Sequence, residues 1–115
     1  MNNFIDNHTF EERMKESQKI LLKYPTRIPI IVEKCEKCLL TNIDKKKYLV
    51  PKELTLGQFV YIIRKRIKLD PNQALFVLIN NSLQPTNRLL EDIYSDSKDE
   101  DGYLYIVYSS ENTFG

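Results

Sequence analysis

The apolar positions between residues 9 and 25 follow a helical period. Thr9-Phe10-Glu11-Glu12 matches a capping box, in which a hydroxyl and a carboxylate three residues later bond each other's backbone N–H groups. The residue before a proline avoids helical conformation, so we expect a helix that starts at Thr9 and ends at Tyr24. Its predicted core stripe is Phe10, Met14, Ser17, Leu21 and Tyr24, with Glu16 and Ile20 in a second stripe beside it.

Two strand-like stretches follow this helix. Residues 27–33 form a short stretch rich in β-branched side chains, which predicts a strand. Because Pro29 has no N–H to donate, we expect it at the start of this strand or on a sheet edge. Residues 34–44 show no period and predict a loop. We therefore expect a hairpin whose second strand is Lys45–Pro51.

The second strand of this hairpin has the pattern of an exposed sheet edge. Three lysines precede Tyr48, Leu49 and Val50, and Pro51, which cannot donate a ladder hydrogen bond, ends the run. Successive strand residues point to opposite faces, so both faces carry apolar side chains. Two interpretations remain open: a strand covered on both faces, or an edge that accepts a peptide as an added strand.

The second half of the chain predicts one longer helix, a short helix and two strands. Thr55 to Gln58 is another capping box, followed by a buried face of Leu56, Phe59, Val60, Ile63 and Ile67, with Ile62 outside it and Asp70-Pro71 as the expected end. Predicted next are a central strand at 75–79, a turn at Asn80-Asn81, a short helix at 89–94, an acidic turn, a strand at 103–108 and an unstructured tail at 109–115. This order predicts an α+β ubiquitin-like β-grasp with an N-terminal helical extension.

Composition narrows the classes of function. The chain has 115 residues, enough for a single domain, and its 17 lysines and arginines against 16 acidic residues give a net charge of +1. The basic run Arg64-Lys65-Arg66 lacks interleaved aromatic residues, so we expect a solvated helix face and no nucleic-acid partner. The start of the chain lacks the features of a signal peptide, and the expectation is a cytoplasmic protein.

Candidate catalytic and metal-binding residues are few. Cys35 and Cys38 form a Cys-x-x-Cys pair, but a zinc site needs four ligands and His8 is the single histidine. We expect two reduced thiols in a loop and no metal or cofactor. The three glycines form no phosphate loop and no paired carboxylates stand out, so we expect no enzyme.

Several longer motifs carry a family resemblance. They are Phe10-Glu11-x-Arg13, Lys23 to Lys34, Asp44 to Pro51, Leu54-Thr55-x-Gly57-Gln58-Phe59, Ile63 to Ile67, Asp101 to Tyr105, and the ending Tyr108 to Gly115. Over almost its whole length the chain resembles the GABARAP-like autophagy modifiers, lipid-conjugated ubiquitin-like proteins of eukaryotic cells. The resemblance implies two N-terminal helices in residues 1–26, a β-grasp core in residues 27–108 and a flexible conjugation tail in residues 109–115.

The resemblance also implies a function. Gly115 would be activated, passed to conjugating enzymes and joined to phosphatidylethanolamine on the growing autophagosome, and a cysteine protease would release the lipid. The bound form would lie on the autophagosome membrane, held by two acyl chains. A cytosolic adaptor of the same fold that is never conjugated remains the alternative, because peptide recognition does not require Gly115.

The resemblance further implies two pockets for receptors that carry a Trp/Phe/Tyr-x-x-Leu/Ile/Val motif. The pocket for the aromatic residue would consist of Glu16, Ile20, Pro29, Ile31, Lys47, Leu49 and Tyr103. The pocket for the aliphatic residue would consist of Tyr48, Val50, Pro51, Leu54, Phe59 and Ile62. Arg27 and Arg66 would pair with acidic residues that flank the motif. The chain departs from the family at Thr9, where relatives often have proline, and at Cys35 and Cys38, which lie in a loop that is usually more polar.

Overall fold

The computed structural model describes residues 3–110, which form a five-stranded sheet with helices on both faces. The elements, in chain order, are α1 (Phe4–Asn7), α2 (Phe10–Lys23), β1 (Arg27–Lys34), β2 (Lys47–Pro51), α3 (Leu56–Arg66), β3 (Phe76–Ile79), β4 (Ser82–Leu83), α4 (Leu90–Ser97) and β5 (Leu104–Ser109). Both N-terminal helices and the α+β class are as predicted. Among the described residues, none of the helices has the length and apolarity needed to cross a bilayer.

The strand order is β2-β1-β5-β3-β4. β1 and β2 form the predicted antiparallel hairpin, while β1 and β5 run parallel from Ile30 beside Leu104 to Lys34 beside Tyr108. β3 pairs antiparallel with β5 and with β4. The last strand in sequence is therefore the central strand of the sheet, and β2 lies at one edge.

The position of Pro29 within an inner strand follows from this register. The N–H of Val32 donates to the carbonyl of Lys46, so the alternate residues Val32, Ile30 and Ile28 direct their N–H groups toward β2. The nitrogen of Pro29 is on the opposite side, toward β5, but the ladder with β5 begins only at Ile30. Proline therefore costs the sheet no hydrogen bond at this point.

Each face of the sheet has its own apolar cluster. On one face, Ile28, Ile30 and Val32 of β1 lie in a large cluster with residues of β5, β3, α3 and α4. On the other face, Ile31 and Tyr103 lie with Phe4 of α1, and Ile20 of α2 packs against them. Because β1 is covered on both faces, its side chains are apolar at consecutive positions rather than at alternate ones.

The predicted core stripe of α2 is wrong at its two ends. The helix and its capping box are confirmed, but Phe10 is 40% exposed and Tyr24 is 39% exposed. Ser17 in the middle of the predicted stripe is buried as expected, and the other buried residue of α2 is Arg13, which the stripe did not include. Both bond to Asp101, a residue far away in sequence, and these polar contacts decide which side of the helix faces the sheet.

Helix α3 ends earlier than the predicted end at Asp70-Pro71. Its capping box and the buried residues Leu56, Phe59 and Ile63 are confirmed, but the C-cap is Ile67, and Lys68 adopts a left-handed conformation (φ 54°) that reverses the chain before Asp70. Arg64 then holds the following loop, because its Nη2 donates to the carbonyl of Gln73 at 2.8 Å.

The two-residue strand β4 was not predicted, although the turn before it was. Asn80 and Asn81 both have positive φ (52° and 61°), as a two-residue hairpin turn requires and as asparagine tolerates. The predicted short helix at 89–94 is α4, which continues to Ser97. β5 continues to Ser109, which pairs with Phe76, so the strand includes the first residue assigned to the tail.

Candidate functional site

The edge strand β2 is the centre of the candidate site. β1 is its neighbour on one side, and the sheet order gives it none on the other among the described residues. Tyr48 and Val50 are buried toward the α3 face, while Lys47 and Leu49 lie on the α2 face. An extended peptide could therefore pair with the free edge while side chains of alternate parity reach opposite faces of the sheet.

An ionic contact organises the α2 face of the edge. Lys47 Nζ lies 2.5 Å from Glu16 Oε1, and the hydroxyl of Tyr103 also donates to Glu16. Burial opposes the ionisation of Glu16, but the bonds from Lys47 and Tyr103 outweigh it, so the pKa of Glu16 lies below its usual value. Burial and the bond to Glu16 raise the pKa of Tyr103. The glutamate therefore stays charged, and the tyrosine neutral, at physiological pH.

Apolar residues complete this side of the site. Pro29 and Leu49 face each other across the hairpin, as do Ile31 and Lys47. Ile31 and Tyr103 are buried, and Ile20 packs against them. The residues of the predicted aromatic pocket thus lie around the β1–β2 hairpin, the start of β5 and one side of α2.

Phe4 of α1 lies against the same group and was missed in the sequence. Its ring meets that of Tyr103 edge-on with centroids 5.3 Å apart, and Lys47 Nζ lies 5.2 Å from its centroid. The N–H of Phe4 donates to Glu33 Oε2 at 2.9 Å. The available signal was local: Asn3 is an N-cap whose side chain accepts from Asp6, directly before an isolated aromatic residue.

The α3 face of the edge has a different character. Tyr48 is 9% exposed and packs edge-on against Phe59 with centroids 5.4 Å apart. Val50 is buried, Leu54 is half-buried against the same cluster, and Ile62 is exposed on α3. Because successive side chains point to opposite faces of the sheet, Pro51 is on the same face as Leu49 and not on the face of Val50. The structure thus groups four of the six predicted aliphatic-pocket residues, Tyr48, Val50, Leu54 and Phe59, while Ile62 and Pro51 are exposed.

The hydroxyl of Tyr48 is unusual. It is buried and has no hydrogen-bond partner among the described residues. Burial raises the pKa of this phenol, and Lys45 Nζ lies 5.1 Å from the centre of its ring. A buried hydroxyl without a partner lowers the stability of the fold, because it has lost its hydrogen bonds to water.

The two predicted rim arginines differ in their surroundings. Arg66 Nε binds Asp44 Oδ1 at 3.0 Å, and this bond holds the pKa of Asp44 below its usual value. Arg27 Nη1 donates to the carbonyl of Leu49 at 3.3 Å. An acidic ligand would thus meet one arginine that already has a carboxylate partner and one whose bond within residues 3–110 is to a backbone carbonyl.

Asp101 fixes the position of α2 against the site and was also missed as a structural residue. It is fully buried, and its carboxylate accepts from Arg13 at 2.6 Å, from the hydroxyl of Tyr105 at 2.5 Å and from the N–H of Tyr103 at 2.9 Å. Its carbonyl accepts from Ser17. Because Ser17 adjoins Glu16 in the helix, the bonds of Asp101 also fix the carboxylate that binds Lys47.

The conjugation residue predicted from the sequence, Gly115, lies outside the described residues. The strand that leads toward it is well anchored, since the carbonyl of Tyr108 accepts from the N–H of Cys35 at 2.8 Å. Burial raises the pKa of Tyr108 to about 12, and its hydroxyl donates to Thr41. Within residues 3–110, no group of three or more candidate ligands could hold a metal ion.

Comparisons with known proteins agree with this architecture. A family model described as "Autophagy protein Atg8 ubiquitin like" matches residues 12–115. Autophagy-related protein 8e of Arabidopsis thaliana is 60% identical over 109 residues, which is 95% of this chain and 89% of the plant protein. Autophagy-related protein 8 of Emericella nidulans is 58% identical over 112 residues, which is 97% of this chain and 95% of the fungal protein.

A solved structure gives the same result for the fold. The crystal structure of ATG8 from Trypanosoma brucei superposes with a TM-score of 0.91 at 44% sequence identity, and the match covers 100% of this chain and 99% of the trypanosomal one. The family model, the full-length relatives and the shared fold lead to one conclusion. The chain belongs to the Atg8 family of autophagy-related ubiquitin-like proteins.

Proposed function

We propose that this protein is a ubiquitin-like modifier, not itself an enzyme, that is conjugated through Gly115 to phosphatidylethanolamine and acts in autophagosome formation. A C-terminal glycine offers an unhindered carboxylate, which suits transfer through successive thioesters. The implied partners are the activating and conjugating enzymes of the lipidation system and a delipidating cysteine protease. The protein would be cytoplasmic until two acyl chains anchor it to the autophagosome membrane.

We further propose that the edge strand recruits receptors by accepting their motif as an added strand. The observation that carries this proposal is the outer edge of β2, which pairs with no strand among residues 3–110 and has Leu49 on one face and Tyr48 and Val50 on the other. Backbone hydrogen bonds along β2 would supply affinity, and the two faces would select the receptor side chains that point to opposite sides of the added strand.

On the α2 face, an aromatic side chain of the receptor would lie over Ile31, Leu49 and Ile20. The Lys47–Glu16 pair at the rim of this face is 2.5 Å long and exposed on both side chains, so its ammonium can shift toward an aromatic ring or an acidic ligand at little cost. On the α3 face, an aliphatic side chain would pack between the half-buried Leu54 and the exposed Ile62.

An energy estimate sets the expected affinity. Two apolar anchors contribute about 1.5–3 kcal/mol each, and a few strand hydrogen bonds contribute about 0.5–1.5 kcal/mol each. These terms sum to at most about 10 kcal/mol, so after the cost of ordering the peptide we expect a dissociation constant of ~1 μM or weaker. Many copies on one membrane would raise the effective affinity.

The lipidation proposal is tested by reconstitution. The protein is incubated with activating and conjugating enzymes, ATP and phosphatidylethanolamine liposomes, and its mass is measured. The expected result is a phospholipid adduct that is lost in Gly115→Ala, with Gly57→Ala as a control at a glycine far from the tail in sequence. An unchanged mass, under conditions that lipidate a related protein, would favour the adaptor that is never conjugated.

The recruitment proposal is tested separately with a peptide that carries the Trp-x-x-Leu motif between acidic residues. We expect Leu49→Ala on the edge strand β2 to weaken binding about tenfold, since a buried leucine contributes about 1.5–3 kcal/mol. Leu83→Ala is the matched control, because Leu83 is an exposed leucine on β4 at the opposite edge of the sheet. Equal affinities of the two variants in calorimetry would exclude β2 as the docking edge.

A further inference from the structure

The Cys-x-x-Cys pair lies in a tight, well-held turn rather than in an open loop. The N–H of Cys38 donates to the carbonyl of Cys35 at 3.3 Å, so the two cysteines are the first and last residues of a hydrogen-bonded turn. Such a turn brings its terminal Cα atoms within about 7 Å, and a disulfide needs a Cα separation of about 4.4–6.8 Å. The turn therefore brings the two Cα atoms close to the separation that a disulfide requires.

Two further contacts hold this turn in place. Lys34 Nζ donates to the carbonyl of Cys35 at 3.1 Å and to the carbonyl of Cys38 at 2.8 Å. The N–H of Cys35 is bonded to Tyr108 at the end of the central strand. The turn is thus fixed by the protein before any covalent bond forms, and this reduces the entropy lost on closing the ring.

Both thiols are free and half-buried, so they are reachable from solvent. A metal centre is disfavoured, because no cluster of three candidate ligands exists among residues 3–110. The pair has no part in the docking edge or in the proposed conjugation at Gly115.

We propose that Cys35 and Cys38 form a reversible intramolecular disulfide by exchange with small disulfides of the glutathione type. One thiolate attacks oxidised glutathione, forms a mixed disulfide and releases one glutathione thiolate. The second protein thiolate then attacks the protein sulfur of the mixed disulfide and releases the other glutathione. The protein loses two S–H bonds and gains one S–S bond, and one oxidised glutathione is reduced to two thiols.

The experiment measures how strongly the fold promotes this reaction. The full chain is equilibrated in defined mixtures of reduced and oxidised glutathione, once folded and once unfolded in ~8 M urea. Free thiols are then blocked in acid, and the mass of the protein is determined. The product is mapped with a glutamate-specific endoproteinase, which cuts between the cysteines after Glu36 and leaves peptides 34–36 and 37–53 joined only if the disulfide is present.

We expect the folded protein to lose 2 Da per molecule and to show an effective thiol concentration at least about tenfold above that in urea, since the turn is preorganised. Equal values in both states would overturn the proposal, as would glutathionylated monomers or disulfide-linked dimers as the main product. Lys34→Gln should lower the effective thiol concentration of the folded protein severalfold. Lys37→Gln removes a cation from the same turn without touching its carbonyls and should leave the value unchanged; equal effects of the two variants would also overturn the proposal.

Discussion

The substitution Asp101→Asn tests the buried ionic contact that holds α2 on the sheet. The change keeps the shape of the side chain and removes its charge, so the guanidinium of Arg13, only 9% exposed, would be left without an anionic partner. Breaking a buried pair by removing one partner costs about 3–5 kcal/mol. Asparagine can still accept from the N–H of Tyr103, so we expect the lower part of this range, about 3 kcal/mol.

Urea denaturation measures the free energy of unfolding, and heating measures the melting temperature, of four proteins: the wild type, Asp101→Asn, Arg13→Met and the double variant. A loss of about 3 kcal/mol would lower the melting temperature by roughly 10–15 °C in a domain of this size. The double variant should lose less than the sum of the two single variants, because neither charge is then left unpaired. A loss below about 1 kcal/mol for Asp101→Asn, or additive effects, would refute the role of the pair.

The same variants also connect stability to recognition. Because Arg13 and Ser17 hold the helix that carries Glu16, Asp101→Asn should weaken binding of the aromatic motif even at temperatures where the protein is fully folded. Calorimetry at ~15 °C, with folding checked by near-ultraviolet circular dichroism, separates this effect from unfolding.

Three other outcomes follow from the structure. Gly102→Ala should destabilise the fold by about 2 kcal/mol or more in urea titrations, because φ is +92° and a Cβ would meet the side chain of Ser17; a neutral effect would contradict this geometry. Tyr48→Phe should be neutral or stabilising by up to about 1 kcal/mol, since it removes a buried hydroxyl without a partner, and clear destabilisation would reveal a bonded hydroxyl. The pKa of Glu16 is lower in the folded protein than in the unfolded chain. The stability of the wild type relative to Glu16→Gln should therefore be fully present above the pKa of Glu16 in the unfolded chain and disappear as pH falls through its pKa in the folded protein. A difference that grows toward low pH would contradict the Lys47 contact.

Local features of the fold were predictable where they depend on neighbouring residues. Both capping boxes need only a hydroxyl and a side chain three residues later, and both are present at Thr9 and Thr55. The Asn80-Asn81 turn and the edge character of β2 likewise follow from residue type at adjacent positions. In contrast, the four-residue helix α1 and the two-residue strand β4 are too short to show a period.

The orientation of α2 could be predicted only in part from its own sequence. A helical period identifies which residues share a side of the helix, but the buried side here is chosen by Asp101, which lies 88 residues away from Arg13. The apolar side chains of Phe10 and Tyr24 placed them in the predicted buried stripe, but both are exposed, whereas Ser17 of that stripe is buried together with Arg13. An arginine in a buried position is visible in sequence only once its partner is known.

The predicted site residues were brought together by the fold to different degrees. The hairpin residues Ile31, Lys47 and Leu49 lie together because β1 and β2 follow each other in sequence and pair antiparallel. The pairing of Arg66 with Asp44 and the packing of Phe4 on Tyr103 depend on contacts between distant segments. Neither contact leaves a pattern along the chain.

The central position of β5 has a consequence for synthesis on the ribosome. β1 and β3 each pair with β5 and not with each other, so the two halves of the sheet share no ladder until residues 104–109 have left the exit tunnel. Until then, β1 presents an open backbone edge beside Ile30, Ile31 and Val32, all fully buried in the finished protein. The nascent chain thus exposes the β5-facing edge of β1 until β5 emerges, and the sheet cannot be completed before that point.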